Sequence, residues 1–435
     1  MSMKETLNEK IIPGVMKFVN LKPVAALKDG ILFTLPLTLV GSVFLLLAQL
    51  PIPALNEWIA SIFGAGWTEP LFQAYNSSFK MIAIVATMGI AYSYAKNEEH
   101  EPLAAAVMAF VSFILTQNLF IKSAAGEIVT GVIPMTWTGG EGMVSAIIIG
   151  LLVGITYSWF LERKITIKMP AGVPQGVANS FAALIPAAVI ILFSTFVFGF
   201  FKYVLNTTFI EFIYKTIQTP LQGMSDSLPG VIVIAFLIPF LWWFGVHGTT
   251  IVGGVTQGIL LSNTASNQAI LDSGRELTIA NGARIVTQQF LEQFINTTGA
   301  GITIGLVICM LFFAKSQQSK QLGRLAIGPG MFNINEPVTF GTPIVMNPFM
   351  AIPFILAPVV SAILAYFAIA TGLVPPFSGV LVPWTTPPVV AGFILGGWRT
   401  AAMQLVSLAV SFFIYFPFFK KVDAMNYKNE QDALK

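Results

Sequence analysis

Charge is what this sequence has least of. Asp, Glu, Lys and Arg make up 10% of its 435 residues, against about 25% in soluble domains, so it cannot cover a water-facing globule with ionisable groups. Cysteine is scarcer still. The single Cys309, inside the apolar run GITIGLVICMLFFA, excludes an intramolecular disulfide and reads as a small packing residue, since a reactive thiol needs an exposed electropositive site. Two histidines, His100 and His247, give too few ligands for a zinc centre, so no metal is expected. A net charge of +3 is too slight for a nucleic-acid binder. No GxxxxGK, GxSxG or HExxH occurs, which removes the phosphate-loop, nucleophile-elbow and zincin classes and leaves no cofactor to expect.

What remains is apolar: 55% hydrophobic residues, 37 phenylalanines among them. The fold class read from this is an all-α polytopic membrane protein. Residues 31–50 form a 20-residue apolar run, long enough to span about 30 Å as a helix and longer than a signal-peptide core. Further runs cover about 81–95, 103–121, 143–161, 177–201, 229–246, 299–314, 349–373 and 401–419. Two more stretches, 325–348 and 375–397, are broken by Pro and Gly. Irregular backbone is tolerated at membrane depth only when buried in protein or lining a wet cavity, which makes each a candidate re-entrant hairpin. About ten transmembrane helices plus these two hairpins are expected.

Residues 1–30, with Lys4, Lys10, Lys17, Lys22 and Lys28 among apolar residues, suit a cytoplasmic amphipathic segment on an anionic inner leaflet. Residues 31–202 read as a scaffold domain, 203–228 as an interfacial helix or linker, 229–420 as a substrate-binding domain and 421–435 as a cytoplasmic tail. Arg163, Lys164 and Lys168 fall where the charge rule wants a cytoplasmic loop. Lys315, Lys320 and Arg324 look cytoplasmic by the same rule, yet counting crossings puts them outside; one more crossing or turn within 247–298 would reconcile the two. The polar residues of 262–298 read as an ordinary surface stretch.

The chemistry concentrates in two islands. IGPGMFNINEPVTFGTPIVMNPF, residues 327–349, sets Asn333, Asn335 and Glu336 among Pro337, Gly341, Pro343 and Pro348. A carboxylate in lipid costs several kcal/mol, so Glu336 is a functional-site candidate, the alternative being a helix-end or interfacial-loop acid. The two asparagines add donors and acceptors suited to hydroxyl groups. The second island, PFLWWFGVHGTT (239–250), places His247 directly after an apolar run, where it is either a site residue or an interfacial histidine bonded to a carbonyl. Trp242, Trp243 and Trp384, the last within VPWTTPP, are either membrane-belt residues or faces for stacking on the C–H side of a pyranose.

GMFNINEPVTFGTPIVMNPFMAIPF, WWFGVHG, MPAGVPQGVANSFAALIP and LVPWTTPPVVAGFI together resemble the signature stretches of the IIC component of the bacterial sugar phosphotransferase system, in its lactose/cellobiose/diacetylchitobiose branch. The likeness covers essentially the whole chain. It implies a homodimeric permease of the bacterial inner membrane with cytoplasmic termini. The first helices would form the dimer scaffold, and the later half would carry a β-linked disaccharide by an elevator-like movement. By the same resemblance His247, Glu336 and Asn335 are site residues, and Trp384 with Trp242 or Trp243 stacks on sugar. The sugar's 6-hydroxyl would be phosphorylated by a phosphocysteine on a IIB protein, itself served by IIA; with Cys309 intramembrane, both are expected to be separate partners. The rival is a proton-coupled disaccharide transporter with Glu336 and His247 as a relay.

Overall fold

The computed structural model describes residues 21–48, 53–122, 126–170, 172–342 and 344–433, with Pro13 and Lys17. Most of the expected N-terminal amphipathic segment, Pro343 and the end of the tail lie outside the described residues. The chain divides into two compact units: one runs through Gln222 and takes in Gly254–Ser262, the other comprises Gly223–Gly253 and Asn263 onward.

The first unit is built from α1 (Lys22–Ile31), α2 (Leu35–Ala48), α3 (Pro53–Phe63), α4 (Glu69–Ser78), α5 (Ile82–Asn97), α6 (Pro102–Leu115), α7 (Met143–Glu162), α8 (Gln175–Ala182), α9 (Leu184–Val204), α10 (Phe209–Ile213) and α11 (Thr219–Ser225), the last reaching into the second unit. A short hairpin pairs Phe120–Lys122 with Ile128–Thr130. Small residues set the helix spacing. A Cβ on Gly30 would lie 2.4 Å from Ile90 Cα, one on Gly89 2.5 Å from the Gly30 carbonyl oxygen, and one on Gly154 2.8 Å from Tyr94 Cβ, so α1, α5 and α7 meet nearly backbone to backbone, the packing mode that works where lipid removes the hydrophobic drive. Starts are written locally: Pro102 opens α6, and the Glu101 carboxylate accepts from the Leu103 and Ala104 amides at 3.0 Å each. Inside, the buried Gln218 amide donates to the Gly140 carbonyl (2.9 Å) and Ser262 Oγ (2.6 Å) and accepts from Val144 N (3.2 Å), which caps the start of α7.

The second unit begins with α12 (Leu228–Trp243) and continues through α13 (Gly248–Asp272, shared with the first unit), α14 (Gln288–Phe290) running into a π-helical turn at Leu291–Ile295, α15 (Ile304–Phe313), α16 (Gln317–Met331), α17 (Glu336–Gly341), α18 (Pro348–Ala370) and α19 (Val390–Ala433). The last is broken at Gly396–Gly397, where Gly397 takes φ 71°.

Six described helices are long and apolar enough to cross a membrane, seven if the bent pair Phe209–Ser225 and Leu228–Trp243 counts as one span. The count expected from sequence was ten. Pro102–Leu115 and Ile304–Phe313 are apolar but short of the roughly 20 residues a crossing needs. Helix α13 has 25 residues, about 37 Å at helical rise, but mixes Thr, Gln, Asn and Ser with its apolar residues. The chain is an integral membrane protein by these helices.

Most of the stretch 262–298 is not surface: outside Ala269 and residues 272–282 it is buried or half-buried. Ser262, Asn263, Thr264, Asn267, Gln268, Thr287, Gln289, Gln293, Thr297 and Thr298 are all buried. The reason is that buried backbone outside a helix must find its hydrogen-bond partners within the protein. Asn267 accepts from Arg284 N (2.6 Å) and donates to Phe377 O (2.8 Å); Gln289 donates to Ser378 O (2.6 Å) and Val380 O (2.7 Å); Gln268 accepts from Gly379 N (2.9 Å). Carboxamides donate and accept at once without a charge to bury, and here they bind the irregular 284–303 and 375–389 segments together.

Candidate functional site

Two sharp turns position the predicted residues, and both are written in the sequence motifs. In WWFGVHG, helix α12 ends in a Schellman motif: Gly245 sits at φ 78°, its N–H bonds the Trp242 carbonyl (2.9 Å), and Val246 N–H bonds the Leu241 carbonyl (3.1 Å). His247 then becomes the N-cap of α13, its Nδ1 accepting from Thr250 N–H at 3.2 Å, with Thr250 Oγ1 at 2.8 Å. Gly248 follows because a Cβ there would lie 2.0 Å from the Ile238 carbonyl oxygen.

The NINEP stretch repeats the device with asparagine. Helix α16 ends at Met331, Asn333 takes the left-handed φ of 65°, its N–H bonds Gly330 O (3.2 Å), and Ile334 N–H bonds Pro329 O (3.0 Å). Asparagine is the residue after glycine best able to hold that conformation. Its side chain is fully engaged: Oδ1 accepts from Thr298 N (2.7 Å), and Nδ2 donates to Trp384 O (2.6 Å) and Thr386 O (2.9 Å). Asn335 is buried and donates to Ala300 O (2.6 Å). Gly299, at φ 88°, leaves room for this approach, since a Cβ there would lie 2.4 Å from Asn335 Cγ, and Gly301, at φ 84°, makes room for the Phe354 ring. The structure therefore engages both asparagines with backbone groups of neighbouring segments.

Glu336 opens α17 and is exposed, with no hydrogen bond or ion pair to a described residue. Phe340, one helical turn on, shares its face. The Phe340 ring stands 6.3 Å from that of Trp242, which lies 4.4 Å from the His247 imidazole. Phe340, Trp242 and His247 thus form one cluster of rings within the second unit, and Glu336 lies one helical turn before Phe340. Trp242 is buried and its Nε1–H has no acceptor among the described residues. Trp243 is buried and structural in its contacts, Nε1 donating to Asn347 O (2.9 Å) while its own carbonyl accepts from Met346 N (2.9 Å). Trp384 is 55% exposed, its backbone tied to Asn333.

Glu292, absent from the residues expected above, sits in the π-helical turn and accepts from Gln288 Nε2 at 2.9 Å. The signal was present in TQQFLEQFINTTGAG: an acid among amides and followed by glycines, the same grammar as NINEP. Helical turns of this type recur at functional sites. Among the described residues no three His, Cys, Asp or Glu side chains group as metal ligands.

The profile of the family described as phosphotransferase system, EIIC matches residues 28–358. The chain is 37% identical to the lichenan permease IIC component of Bacillus subtilis (strain 168), over 99% of this chain and 96% of that protein. It is 38% identical to the cellobiose-specific EIIC component of Geobacillus stearothermophilus, over 98% and 95% of the two chains. The crystal structure of the transporter ChbC, the IIC component from the N,N'-diacetylchitobiose-specific phosphotransferase system, superposes with a TM-score of 0.93 at 37% identity, covering 98% of this chain and 99% of that one. The matches take in both compact units and both motif turns, and the chain belongs to the phosphotransferase system EIIC family.

Proposed function

We propose that the chain is the permease of a phosphoenolpyruvate-dependent sugar phosphotransferase system, binding a β-linked disaccharide of the cellobiose or diacetylchitobiose class. It sits in the bacterial inner membrane as a homodimer with cytoplasmic termini, and the second unit carries the sugar by an elevator-type movement. The observation that carries the reading is the Phe340–Trp242–His247 cluster with Glu336 on the Phe340 helix face: an exposed carboxylate with no hydrogen bond or ion pair among the described residues, set on the same short helix as an aromatic face that leads to an imidazole. The names of its relatives, lichenan- and cellobiose-specific components among them, support the substrate class.

In this reading the sugar stacks on Trp384 and on the Trp242 side of the cluster, Trp243 holding the adjacent turn, while Asn333 and Asn335 fix the loop that presents Glu336. The sugar's 6-hydroxyl oxygen attacks the phosphorus of a phosphocysteine on a separate IIB protein, which IIA re-phosphorylates. The O–P bond forms, the S–P bond breaks with the thiolate leaving, and the hydroxyl proton passes to the Glu336 carboxylate. General-base help of this kind is worth about 10²- to 10⁴-fold. His247 orients the carboxylate and the hydroxyl. No residue set for a metal or a cofactor enters the scheme.

Proteoliposomes test it. Uptake that needs phosphoenolpyruvate and IIB, with phosphosugar as the product, is the expected result; accumulation of free sugar driven by a pH gradient would instead assign the chain to proton-coupled transport.

A further inference from the structure

Thr250 is an unassigned residue whose contacts decide what His247 can do. Its backbone N–H is only a donor, and it lies 3.2 Å from His247 Nδ1, with its hydroxyl oxygen 2.8 Å from the same nitrogen. A nitrogen that accepts from an amide carries no proton of its own, so the neutral ring must hold its proton on Nε2. An imidazolium would set an Nδ1–H against the Thr250 N–H, and it would place a cation at the start of the 25-residue α13, where the helix dipole is positive. Trp242, 4.4 Å from the imidazole and tilted 47° to it, flanks the ring, and a half-turn flip would replace Nδ1 by a carbon and forfeit both bonds. The Schellman turn at Gly245 and the close passage of Gly248 past Ile238 fix the backbone that holds the ring there.

We infer that Thr250 is a positioning residue that locks His247 as a neutral Nε2–H donor, so that His247 gives a hydrogen bond to the sugar or to Glu336 and takes no proton during transfer. The inference rests on the proposed function for what the donor serves, and on geometry alone for the tautomer. It assigns the proton-accepting step to Glu336 by itself. It also opposes a His247 relay, since a relay needs both ring nitrogens to exchange protons.

The two histidines of the chain make the tautomer observable. Full-length His100→Gln protein, labelled with ¹⁵N-histidine and reconstituted in bilayers, is studied by magic-angle-spinning NMR at pH 7. The expected spectrum has a protonated, pyrrole-type Nε2 and an unprotonated, pyridine-type Nδ1; an Nδ1–H tautomer or an imidazolium overturns the inference. Thr250→Val removes the hydroxyl and keeps the amide. With the amide still donating, the Nε2–H tautomer should persist, while the Nδ1 resonance shifts and broadens on losing one of its two partners and the phosphorylation rate falls roughly tenfold, the scale of one hydrogen bond; Thr250→Ser restores both, and an unchanged Nδ1 signal and rate in the valine variant would remove the Thr250 hydroxyl from the role. His247→Gln, whose amide can still donate, should retain about a tenth or more of the transfer rate, whereas a base would be lost outright. Normal transport by both Glu336→Gln and His247→Gln with the expected NMR spectrum would leave the tautomer standing and strike the sugar-site reading instead.

Discussion

Asn333 and Trp384, 51 positions apart, are joined by a 2.6 Å hydrogen bond from the asparagine Nδ2 to the tryptophan carbonyl. The same side chain holds Thr298 N and Thr386 O, so one residue fastens three irregular segments at the point where Glu336 begins its helix. Replacement separates two effects. Asn333→Ala loses all three bonds and puts a Cβ residue at φ 65°, costing about 2–4 kcal/mol. Asn333→Gly loses the same bonds but suits the backbone, and should be about 1 kcal/mol less damaging. Thermal unfolding in detergent measures the difference; sugar affinity should fall in both.

Val389 presents a second case of held strain. A β-branched residue at φ 73° is disfavoured by about 1–3 kcal/mol, and it persists because Gln404 Oε1 accepts from Val389 N (2.7 Å) and Gly392 N (3.0 Å) while Nε2 donates to Gln293 Oε1 (2.9 Å). Gln404→Leu should lower stability by about 2–4 kcal/mol through stranded polar groups. Val389→Gly should reduce that loss when added to it. Unfolding midpoints of the single and double variants check both statements.

The close helix crossings of the first unit give a sharper expectation. A side chain at Gly89 would meet the Gly30 carbonyl and the Phe33 ring, and backbone cannot move aside as a flexible side chain can. Gly89→Val should cost more than about 3 kcal/mol and leave little monodisperse protein by size-exclusion chromatography. Gly199→Ala, where nothing lies within 4 Å, should behave as wild type.

The C-terminal helix is fastened by two acids of unequal weight. The buried Asp423 accepts from Lys315 N (2.6 Å), Ser316 N (3.2 Å) and Ser316 Oγ (2.7 Å), whereas Glu430 caps Gln317 and Gln318 N–H (2.9 Å each) in a more open setting. Asp423→Ala should cost about 2–3 kcal/mol and Glu430→Ala under about 1. Limited proteolysis after Phe419 reads the ranking, with faster cleavage in the Asp423 variant.

Apolar runs and proline positions carried much of the fold in the bare sequence. Runs at 143–161, 229–246 and 349–373 lie over Met143–Glu162, Leu228–Trp243 and Pro348–Ala370, because lipid demands both length and low polarity at once. Polar residues were harder. Asn333 stood out as a polar residue among glycines and prolines, but its service to the backbone depends on a left-handed φ and on partners 35 and 51 positions away. Glu292 and the amides around it looked like surface for the same reason: sequence shows polarity, whereas burial follows from which irregular backbone needs partners. The role of Thr250 is local, three residues from His247, yet it emerges only once His247 is known to be a helix cap.

The most direct test of the sugar-site account is the phosphorylation rate of Glu336→Gln protein in proteoliposomes supplied with phosphoenolpyruvate, IIA, IIB and cellobiose or diacetylchitobiose. Glutamine keeps the volume of the side chain and removes its charge and basicity. The account predicts a loss of about 100-fold or more with folding intact. A rate within about threefold of wild type would contradict it.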